Sequence, residues 1–373
     1  MRILHVHSGN LYGGVETMLM TLARRRDECR NLQQHFALCF EGRLSSELAA
    51  AGAVTHSIGA VRVSKPLTIL RARNNLRKLL ANAGWDALLF HSAWSYAVFA
   101  SVARAQGLRA VVWVHGTSNG KHWTEQWARR TDPDLVVCNS RFTVDGAAAV
   151  YPYALKRVVY CPVELDSRPL PAGKREAIRR ELDTPENAVV IIQVSRMEPW
   201  KGQSLHLEAL SQLKTTPDWI CWFAGGPQRP EEEKFFDELR NDAVRFGIAD
   251  RVRFLGERSD VPSLLKAADI YCQPNLQPEP FGIALVEALN AGLPVVTTNM
   301  GGATEIVDET CGVLVRRGDK DGVASSLRRL IEDSALRRRL GQRGPARAQE
   351  LCDPATRIRE LSDVLTGITL SRN

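Results

Sequence analysis

The sequence predicts an α/β protein made of two doubly wound, Rossmann-like domains. Its 373 residues are too many for one ordinary core and suit two domains. Short β-branched runs alternate with longer amphipathic stretches, a pattern that forms a parallel sheet with helices on both faces. The alternation restarts after the proline-rich segment 163–173. We therefore expect one domain at 1–165 and a second at 166–354.

The elements of the first domain follow from the spacing of their apolar residues. Short apolar or β-branched runs predict strands, and apolar residues spaced three or four apart predict helices. The predicted strands span 3–7, 34–40, 87–90, 110–115, 135–139 and 158–161. The predicted helices span 16–26, 45–51, 68–81 and 93–105.

The second domain repeats this pattern. Its predicted strands span 189–194, 219–224, 252–255, 270–273, 294–297 and 312–315. Its predicted helices span 203–213, 231–246, 261–267 and 283–291, with one after Asp319 and a last one at about 355–366. Two such domains would face each other across a crevice at the carboxyl ends of their strands. Neither first strand is followed by G-x-G-x-x-G, which argues against a dinucleotide cofactor.

Composition excludes several classes of protein. No apolar run approaches the roughly 20 residues that a membrane-spanning helix needs. The N-terminus has the pattern of a buried strand and lacks that of a signal peptide, so we expect a cytoplasmic protein. The eight cysteines are scattered without a C-x-x-C pair, which favours buried free thiols over a zinc site.

The net charge of +7 is unevenly distributed. Residues 1–165 hold 20 Lys and Arg against 11 Asp and Glu, a net charge of +9, and the rest of the chain has −2. Such a basic half fits an anionic partner, either an anionic substrate or a membrane surface, and it fits equally a solvated arginine-rich face. Peripheral contact with an anionic membrane is therefore one hypothesis, and we predict no nucleic-acid partner.

Two glycines, Gly13 and Gly14, lie between the first predicted strand and the first predicted helix. Glycines at such a turn let backbone N–H groups approach an anion at the helix N-terminus. The alternative is a tight turn that needs a positive φ. The pair alone does not decide between these two interpretations.

Arg196 and Lys201 follow the first strand of the second domain. Two cations five positions apart at a strand's carboxyl end can clamp a diphosphate and offset charge on a leaving group. Arginine suits a bidentate contact, and lysine is a compact point charge. The alternative is a pair of solvated loop cations, but the position at the strand end favours a site.

The segment 279–282 and Glu287 form the most informative pattern. A proline-rich turn leads into a helix that begins near Gly282, so free N–H groups and the positive end of the helix dipole should face the crevice. Glu279 can accept hydroxyl groups, and Glu287, about 7 Å further along the axis, could bind a diol. Alternatively both are ordinary helix carboxylates, although the apolar neighbours of Glu287 mean that its carboxylate needs a partner.

His115 closes the strand at 110–115, a position that favours a site, although a lone histidine is more often structural. His5 and His7 alternate with apolar residues and are interpreted as structural. The segment 132–134 has the Asp-x-Asp pattern that binds a metal in some enzymes. Its central proline and its place before a strand indicate a turn instead, and we predict no metal site.

Together these stretches resemble the retaining glycosyltransferases of family 4, which have the two-domain GT-B fold. In the first domain only 13–16, His115 and 139–140 match the family. The second domain matches almost end to end, at Arg196 with Lys201, 224–227, 254–256, 260–262, 268–270, 279–282 with Glu287, 292–296 and 301–302 with 305–307.

The resemblance implies a metal-independent, retaining transfer of a hexose-type sugar from a UDP- or GDP-sugar, without a permanently bound cofactor. The acceptor would be a polysaccharide, a lipid-linked saccharide or a small molecule of cell-envelope biosynthesis. The implied catalytic residues are Glu279, His115, Arg196 and Lys201. The implied donor-binding residues are Gly13, Gly14, Arg196, Lys201, Gly225, Glu279, Phe281, Gly282, Ile283 and Glu287.

Within this resemblance each group has a role. Glu279 contacts the donor sugar, Glu287 contacts the ribose, and the backbone N–H groups of 281–283 hold phosphate or sugar oxygens. No base on the protein is needed, because the donor takes the acceptor's proton. The resemblance also implies that a last helix, about 355–373, crosses back to the first domain. Asn275 departs from the family, which often has serine there.

Two alternatives stay open. The same fold serves nucleotide-sugar epimerases and phosphorylases, but neither acid/base groups in both domains nor a pyridoxal-bearing lysine is evident. A non-catalytic nucleotide-sugar-binding protein is the other alternative, and the intact set of Arg196, Lys201, Glu279 and Glu287 argues against it.

Overall fold

The computed structural model describes residues 1–81, 84–166, 168–216 and 218–370 and divides into two compact units. Unit 1 consists of Met1–Glu164 and Cys352–Asn373, and unit 2 consists of Leu165–Leu351. Each unit has one parallel sheet and its own apolar core, which confirms the predicted fold class. Within the described ranges, no helix combines the length and the apolar character that crossing a membrane requires.

Seven parallel strands form the sheet of unit 1. They are β1 (Arg2–His7), β2 (Gln33–Leu38), β3 (Val54–Ser57), β4 (Ala87–Phe90), β5 (Arg109–Val114), β6 (Leu135–Cys138) and β7 (Lys156–Val158). Their order in the sheet is β3-β2-β1-β4-β5-β6-β7, so the direction of winding reverses between β1 and β4. This reversal marks the topological switch point, where doubly wound sheets bind ligands.

Six helices follow the strands of unit 1 and cover its sheet. They are α1 (Gly14–Arg24), α2 (Arg43–Ala50), α3 (Pro66–Ala81), α4 (Ala93–Ala105), α5 (Trp123–Ala128) and α6 (Phe142–Val150). The core joins Leu76 of α3 and Phe99 of α4 to Leu88 and Val112 of the sheet. All four side chains are buried, and burial of such apolar surface is the main favourable contribution to folding.

Unit 2 has six parallel strands, whose order reverses between β8 and β11. The strands are β8 (Val189–Val194), β9 (Trp219–Ala224), β10 (Val252–Gly256), β11 (Ile270–Gln273), β12 (Val295–Thr298) and β13 (Gly312–Val315), in the order β10-β9-β8-β11-β12-β13. The helices are α7 (Lys174–Glu181), α8 (Gln203–Ser211), α9 (Pro230–Arg245), α10 (Val261–Ala267), α11 (Ile283–Asn290), α12 (Ala303–Ile306), α13 (Lys320–Glu332) and α14 (Ser334–Cys352). The core packs Leu210, Leu239 and Leu327 against Ile191 and Phe223.

The last helix, α15 (Pro354–Leu370), belongs to unit 1. It packs against α1 and against the short 3-10 turn Arg26–Cys29. This turn also corrects the first predicted helix: residues 16–26 were expected to be helical, whereas α1 ends at Arg24. The eight cysteines are free thiols, seven of them buried and Cys29 half-buried, as their scatter indicates.

Several elements differ from the sequence prediction, which also lacked α5, α6, α12 and the 19-residue α14. The predicted strand at 158–161 was wrong, because β7 occupies Lys156–Val158 at the sheet edge. The edge strand β3 was not predicted, since its four residues contain a single large apolar side chain. Helix α7 was also missed, because its sequence is mostly charged and offers little apolar periodicity.

Three aspartates tie neighbouring strands together where the strands begin. Asp86 precedes β4, Asp134 precedes β6 and Asp269 precedes β11. The carboxylate Oδ2 of each accepts a backbone N–H from the adjacent strand, from Arg2 at 2.6 Å, Ala110 at 2.8 Å and Val190 at 2.7 Å, respectively. The backbone N–H of each aspartate donates to the carbonyl of that same residue. The amino edge of both sheets is therefore held by the same reciprocal pair.

Two of these aspartates also hold arginines. Asp269 pairs with Arg175 and with the buried Arg179, both at 2.7 Å. Asp134 pairs with Arg104 and Arg109, both at 2.9 Å. A buried guanidinium that lost its carboxylate would keep the cost of desolvation without the compensating charge.

We therefore expect Asp269→Asn to lower the free energy of unfolding by about 2–4 kcal/mol, because Arg179 would stay buried without a counter-charge. Urea unfolding followed by circular dichroism measures this difference. The control is Glu238→Gln on α9, whose ion pair with Lys234 is exposed and spans 3.9 Å, and whose effect should stay within about 0.5 kcal/mol. Equal stability of the two variants would contradict the assigned role of Asp269.

Candidate functional site

Glu279 is the centre of the candidate site in unit 2. Its side chain is almost buried, and its Oε2 accepts three hydrogen bonds. The donors are Lys201 Nζ at 2.8 Å, Asn275 Nδ2 at 2.9 Å and Gln273 Nε2 at 3.1 Å. Within the described residues Oε1 has no hydrogen-bond partner. One carboxylate oxygen is therefore used within the protein, and the other can accept a further hydrogen bond.

The backbone at Glu279 is held from a second side. The N–H of Gly302 donates to the carbonyl of Glu279 at 2.7 Å, and Gly301 forms an isolated parallel bridge with the same residue. Gly301 has a φ of +61°, and a Cβ there would lie 2.4 Å from the carbonyl oxygen of Glu279. Only glycine fits this approach, so the pair at 301–302 fixes the position of the Glu279 backbone.

Lys201 reaches Glu279 from the 3-10 turn Pro199–Lys201, which follows β8. Its Nζ also lies 4.0 Å from the ring centroid of Trp200, whose carbonyl accepts the N–H of Leu276 at 2.7 Å. The turn after β8 and the loop after β11 are therefore joined by both a side-chain ion pair and a backbone hydrogen bond.

Arg196 is half-buried beside the same turn and pairs with Glu198. The second oxygen of Glu198 accepts the indole N–H of Trp200 at 3.1 Å. Both predicted cations of this segment thus have carboxylate partners. The alternative interpretation, a pair of solvated loop cations, therefore does not describe them.

Helix α11 begins directly after the loop that carries Glu279. Gly282 caps it with a φ of +116°, and Phe281 before it is buried. Within the described part of the chain, the N–H groups of Gly282 and Ile283 donate no hydrogen bond. The free N–H groups at a helix start that the sequence predicted are therefore present, and the binding of an anion to them stays a prediction.

Glu287 lies on α11, one turn inside the helix. It is half-buried, and its carboxylate makes no hydrogen bond or ion pair with any described residue. Burial raises the pKa of Glu287 from its ordinary value of 4.5 to about 7. A carboxylate that the protein itself leaves without a partner is available to a ligand that donates hydrogen bonds.

Gly225 is explained by packing within unit 2. Its φ is +140°, and a Cβ there would lie 1.9 Å from the carbonyl oxygen of Ser195. Its N–H donates to the carbonyl of Gly256 at 2.8 Å, so this group is already used within the protein. A contact of Gly225 with a ligand remains a prediction.

In unit 1, Gly13 and Gly14 lie at the start of helix α1, as predicted from the sequence. The alternative interpretation, a tight turn that needs a positive φ, does not apply. Gly13 has an extended φ of −166°, so the pair does not form a turn with positive φ. The N–H of Gly13 donates to Glu16 Oε2 at 2.8 Å, and His7 Nε2 donates to Glu16 Oε1 at 2.6 Å. Glu16 therefore anchors the start of α1 to the end of β1.

His115 follows β5, as predicted, and stacks on Trp113 with ring centroids 5.3 Å apart. Its Nε2 shares a hydrogen bond with His91 Nδ1 at 3.0 Å, and burial lowers the pKa of His115 to about 3. His91 was not among the residues predicted from the sequence. The available signal was that β1, β4 and β5 each have a histidine at or just beyond the carboxyl end.

The Asp-x-Asp pattern at 132–134 has a structural explanation. Asp134 gives its carboxylate oxygens to Arg104, Arg109 and the N–H of Ala110. The carboxyl is half-buried; burial alone would raise its pKa, but these donors outweigh it and lower the pKa below the ordinary value. The Asp134 carboxylate is therefore used within unit 1, where it joins β5 to the start of β6.

Two family models together match most of the chain. The model described as "Glycosyltransferase Family 4" matches residues 12–167. The model described as "Glycosyl transferases group 1" matches residues 174–347. The two matches fall on the two structural units.

Curated relatives carry glycosyltransferase names. The chain is 28% identical over 347 residues to the lipopolysaccharide core biosynthesis glycosyltransferase LpsD of Rhizobium meliloti, with 92% of each chain covered. It is 33% identical over 213 residues to the D-inositol 3-phosphate glycosyltransferase of Salinispora tropica. That match covers 55% of this chain and 43% of the relative, so the chain spans less than half of the relative's length.

Solved structures show the same fold. The Anabaena protein Alr3699/HepE in complex with UDP and glucose superposes with a TM-score of 0.87 at 24% identity, covering 98% of this chain and 99% of its own. WaaG, a glycosyltransferase involved in lipopolysaccharide biosynthesis, superposes with a TM-score of 0.76 at 18% identity, covering 98% and 100%. The chain therefore belongs to family 4 of the glycosyltransferases and has the GT-B fold.

Proposed function

We propose that the protein transfers a hexose-type sugar from a UDP- or GDP-sugar with retention of the anomeric configuration. The observation that carries this proposal is the Lys201–Glu279 pair beside the N-terminus of α11. It combines a cation, an anion-binding backbone and a carboxylate oxygen without a protein partner. The Anabaena neighbour, solved in complex with UDP and glucose, favours the UDP-sugar of the two donors.

In this proposal unit 2 holds the donor by its charged and its hydroxyl groups. The diphosphate binds the N–H groups of 281–283, with Arg196 as a bidentate partner and Lys201 as a point charge. Oε1 of Glu279 accepts a hydroxyl of the sugar, and the carboxylate of Glu287 accepts the ribose diol. Contacts of Gly13, Gly14, Gly225 and His115 with substrate are proposed from the family resemblance.

Transfer of the sugar needs no base on the protein. The bond between the sugar C1 and the leaving phosphate oxygen breaks, and the acceptor oxygen bonds to C1 on the same face. The acceptor's proton passes to the leaving phosphate. Arg196, Lys201 and the α11 N-terminus stabilise the charge that develops on the diphosphate. Because these groups supply positive charge, we propose that the reaction needs no metal ion.

The acceptor is proposed to be a saccharide of the cell envelope, either a polysaccharide, a lipid-linked saccharide or a smaller molecule. Relatives named for lipopolysaccharide core biosynthesis support this class of acceptor. The basic charge of residues 1–165 is the second support, since a positively charged surface attracts an anionic acceptor.

We expect Lys201→Ala to slow acceptor-independent hydrolysis of the donor at least about 100-fold, because the leaving diphosphate loses a charge partner. Arg196→Ala should act in the same direction. The control is Arg316→Ala, whose side chain is almost fully exposed and which should hydrolyse the donor like the unaltered protein. Thermal unfolding checks that each variant is folded. Unchanged hydrolysis in folded Lys201→Ala would contradict the proposal.

The raised pKa of Glu287 predicts how both the free energy of unfolding and ligand binding depend on pH. Its pKa is raised to about 7 in the folded protein from an ordinary value of 4.5, so the folded state binds a proton that the unfolded state has lost. The free energy of unfolding should therefore fall as pH rises between these two values and level off above. A ribose diol donates hydrogen bonds, so it requires the ionised carboxylate.

Affinity for a nucleoside diphosphate should consequently rise about tenfold between pH 6 and pH 8. Glu287→Gln should lose this rise and keep only the change due to titration of the phosphate itself. Calorimetric titration at both pH values measures the difference between the two proteins. Parallel pH profiles for the two would show that Glu287 does not take the diol.

The exposed face of α3 and the residues before it support peripheral contact with an anionic membrane. Leu67 is 79% exposed and Leu70 is 60% exposed, and Val63 before the helix is also exposed. Five exposed cations surround them, namely Arg62, Lys65, Arg71, Arg77 and Lys78. The chain has no Asp or Glu between residues 48 and 85. Exposed leucines among cations are typical of a surface that lies in the lipid headgroup region.

We expect the protein to pellet with vesicles that contain anionic lipid at low salt and less so at high salt, because exposed charges are screened. Leu67→Ser with Leu70→Ser should weaken pelleting at both salt concentrations. The matched control is Val244→Ser on α9 of unit 2, another exposed apolar position. Equal pelleting with neutral and anionic vesicles, or no effect of the leucine pair, would contradict membrane contact through α3.

A further inference from the structure

Four side chains form a continuous hydrogen-bonded row across the sheet of unit 1, here named the histidine row. Gln34 lies on β2, His5 on β1, His91 just after β4 and His115 just after β5. These strands are neighbours in the sheet. The links are Gln34 Oε1 to His5 Nε2 at 3.1 Å, His5 Nδ1 to His91 Nε2 at 2.9 Å, and His91 Nδ1 to His115 Nε2 at 3.0 Å.

Packing holds the rings of the row in place. His5 stacks between Phe36 and His91, with ring centroids at 5.0 and 5.1 Å. His91 stacks on His115 at 5.2 Å, and His115 stacks on Trp113. His5 and His91 are buried, so neither ring can turn to another partner. The row is therefore a fixed arrangement of donors and acceptors and does not exchange with solvent partners.

His7 is a neighbour of the row without being a member. Its ring lies edge-on to His91 at a centroid distance of 6.1 Å. Its Nε2 hydrogen goes to Glu16. The row consequently runs from Gln34 to His115 without a branch through His7.

The position of the proton on His5 determines the tautomers of His91 and His115. Burial lowers the pKa of His5 to about 4 and that of His115 to about 3, and it lowers the pKa of His91 well below its ordinary value. All three rings are therefore neutral near neutral pH. A neutral imidazole has one N–H donor and one nitrogen that accepts. In the amide orientation of the structure, the carbonyl oxygen of Gln34 faces His5 and only accepts, which places the hydrogen of His5 on Nε2. The Nε2 group of Gln34 is buried and has no hydrogen-bond partner among the described residues, and the opposite orientation of the amide would reverse the direction of the row.

Each hydrogen bond of the row fixes which nitrogen of the next histidine donates and which accepts. Because His5 Nδ1 then accepts, His91 must donate from Nε2 and accept at Nδ1. His115 must in turn donate from Nε2, which leaves its Nδ1 with a free lone pair. The amide of Gln34 thus sets the tautomer of a histidine that lies three strands away in the sheet.

We propose that Gln34, His5 and His91 are positioning residues that hold His115 in its Nε2–H tautomer, so that Nδ1 accepts a hydrogen bond from a sugar hydroxyl of the substrate. The tautomer follows from the hydrogen bonds of the row and from the burial that keeps its rings neutral, all within unit 1. The contact with a sugar hydroxyl rests on the proposed function. A histidine in the other tautomer would present an N–H to the hydroxyl and would favour a different orientation of it.

The tautomer is tested by nitrogen NMR of the full chain labelled at its histidines, with the His115 signals identified by their loss in His115→Asn. The unaltered protein should show an unprotonated Nδ1 and a protonated Nε2 for His115. In His5→Phe, which keeps a stacking ring but removes both nitrogens, the His115 signals should shift toward an average of the two tautomers. His56→Phe is the control, since His56 is in the same sheet but outside the row, and it should leave these signals unchanged.

A protonated Nδ1 in the unaltered protein would overturn the proposal, because the row would then run in the opposite direction. Unchanged His115 signals in His5→Phe would overturn it as well. If His5→Phe does not fold, Gln34→Leu removes the same anchor by a smaller change at the end of the row. It carries the same expectation for the His115 signals.

A double-mutant cycle separates positioning from a merely structural role. On donor hydrolysis, His5→Phe should lower kcat/KM about fivefold in the unaltered background, the loss equivalent to one neutral hydrogen bond. It should have no further effect in the His115→Ala background, because it acts through His115. Additive losses would overturn the positioning role. Absence of any activity with any nucleotide sugar would instead refute the proposed function, while the NMR result would still decide the tautomer.

Discussion

One carboxylate oxygen, Oε2 of Glu279, is the point on which the candidate site of unit 2 depends. Removing a carboxylate from water costs several kcal/mol unless charge and hydrogen bonds compensate it. Here the compensation comes from Lys201 after β8 and from Gln273 and Asn275 at the end of β11. The need to satisfy this charge therefore fixes two separate segments relative to the start of α11. The start of α11 is thereby held in one position.

The amino edge and the carboxyl edge of the sheets differ in how their polar groups are paired. At the amino edge, reciprocal pairs made by Asp86, Asp134 and Asp269 join neighbouring strands. At the carboxyl edge, the side chains are held only in part, as with Oε1 of Glu279 and the carboxylate of Glu287. In unit 2, the carboxyl edge is the edge at which doubly wound sheets generally bind their ligands.

The sequence was sufficient for the fold class and for most central strands, because buried parallel strands are continuous apolar runs. It was insufficient for β3 and α7, which lie where tertiary contacts outweigh weak local patterns. Glu279 and Lys201 were found by their places after predicted strands. Their ion pair was not, since it joins residues 78 positions apart. His91 was overlooked because each histidine was judged alone, whereas the row is visible only when strand order is known.

The central claim is that Glu279 organises a site for a nucleotide sugar. Calorimetric titration of the unaltered protein and of Glu279→Gln with UDP-, GDP- and ADP-sugars tests it most directly. At least one of these donors should bind the unaltered protein. Its affinity should be at least about tenfold lower in the folded variant, because a buried charged hydrogen bond is lost. Failure of every donor to bind, or equal affinities for both proteins, would contradict this role of Glu279.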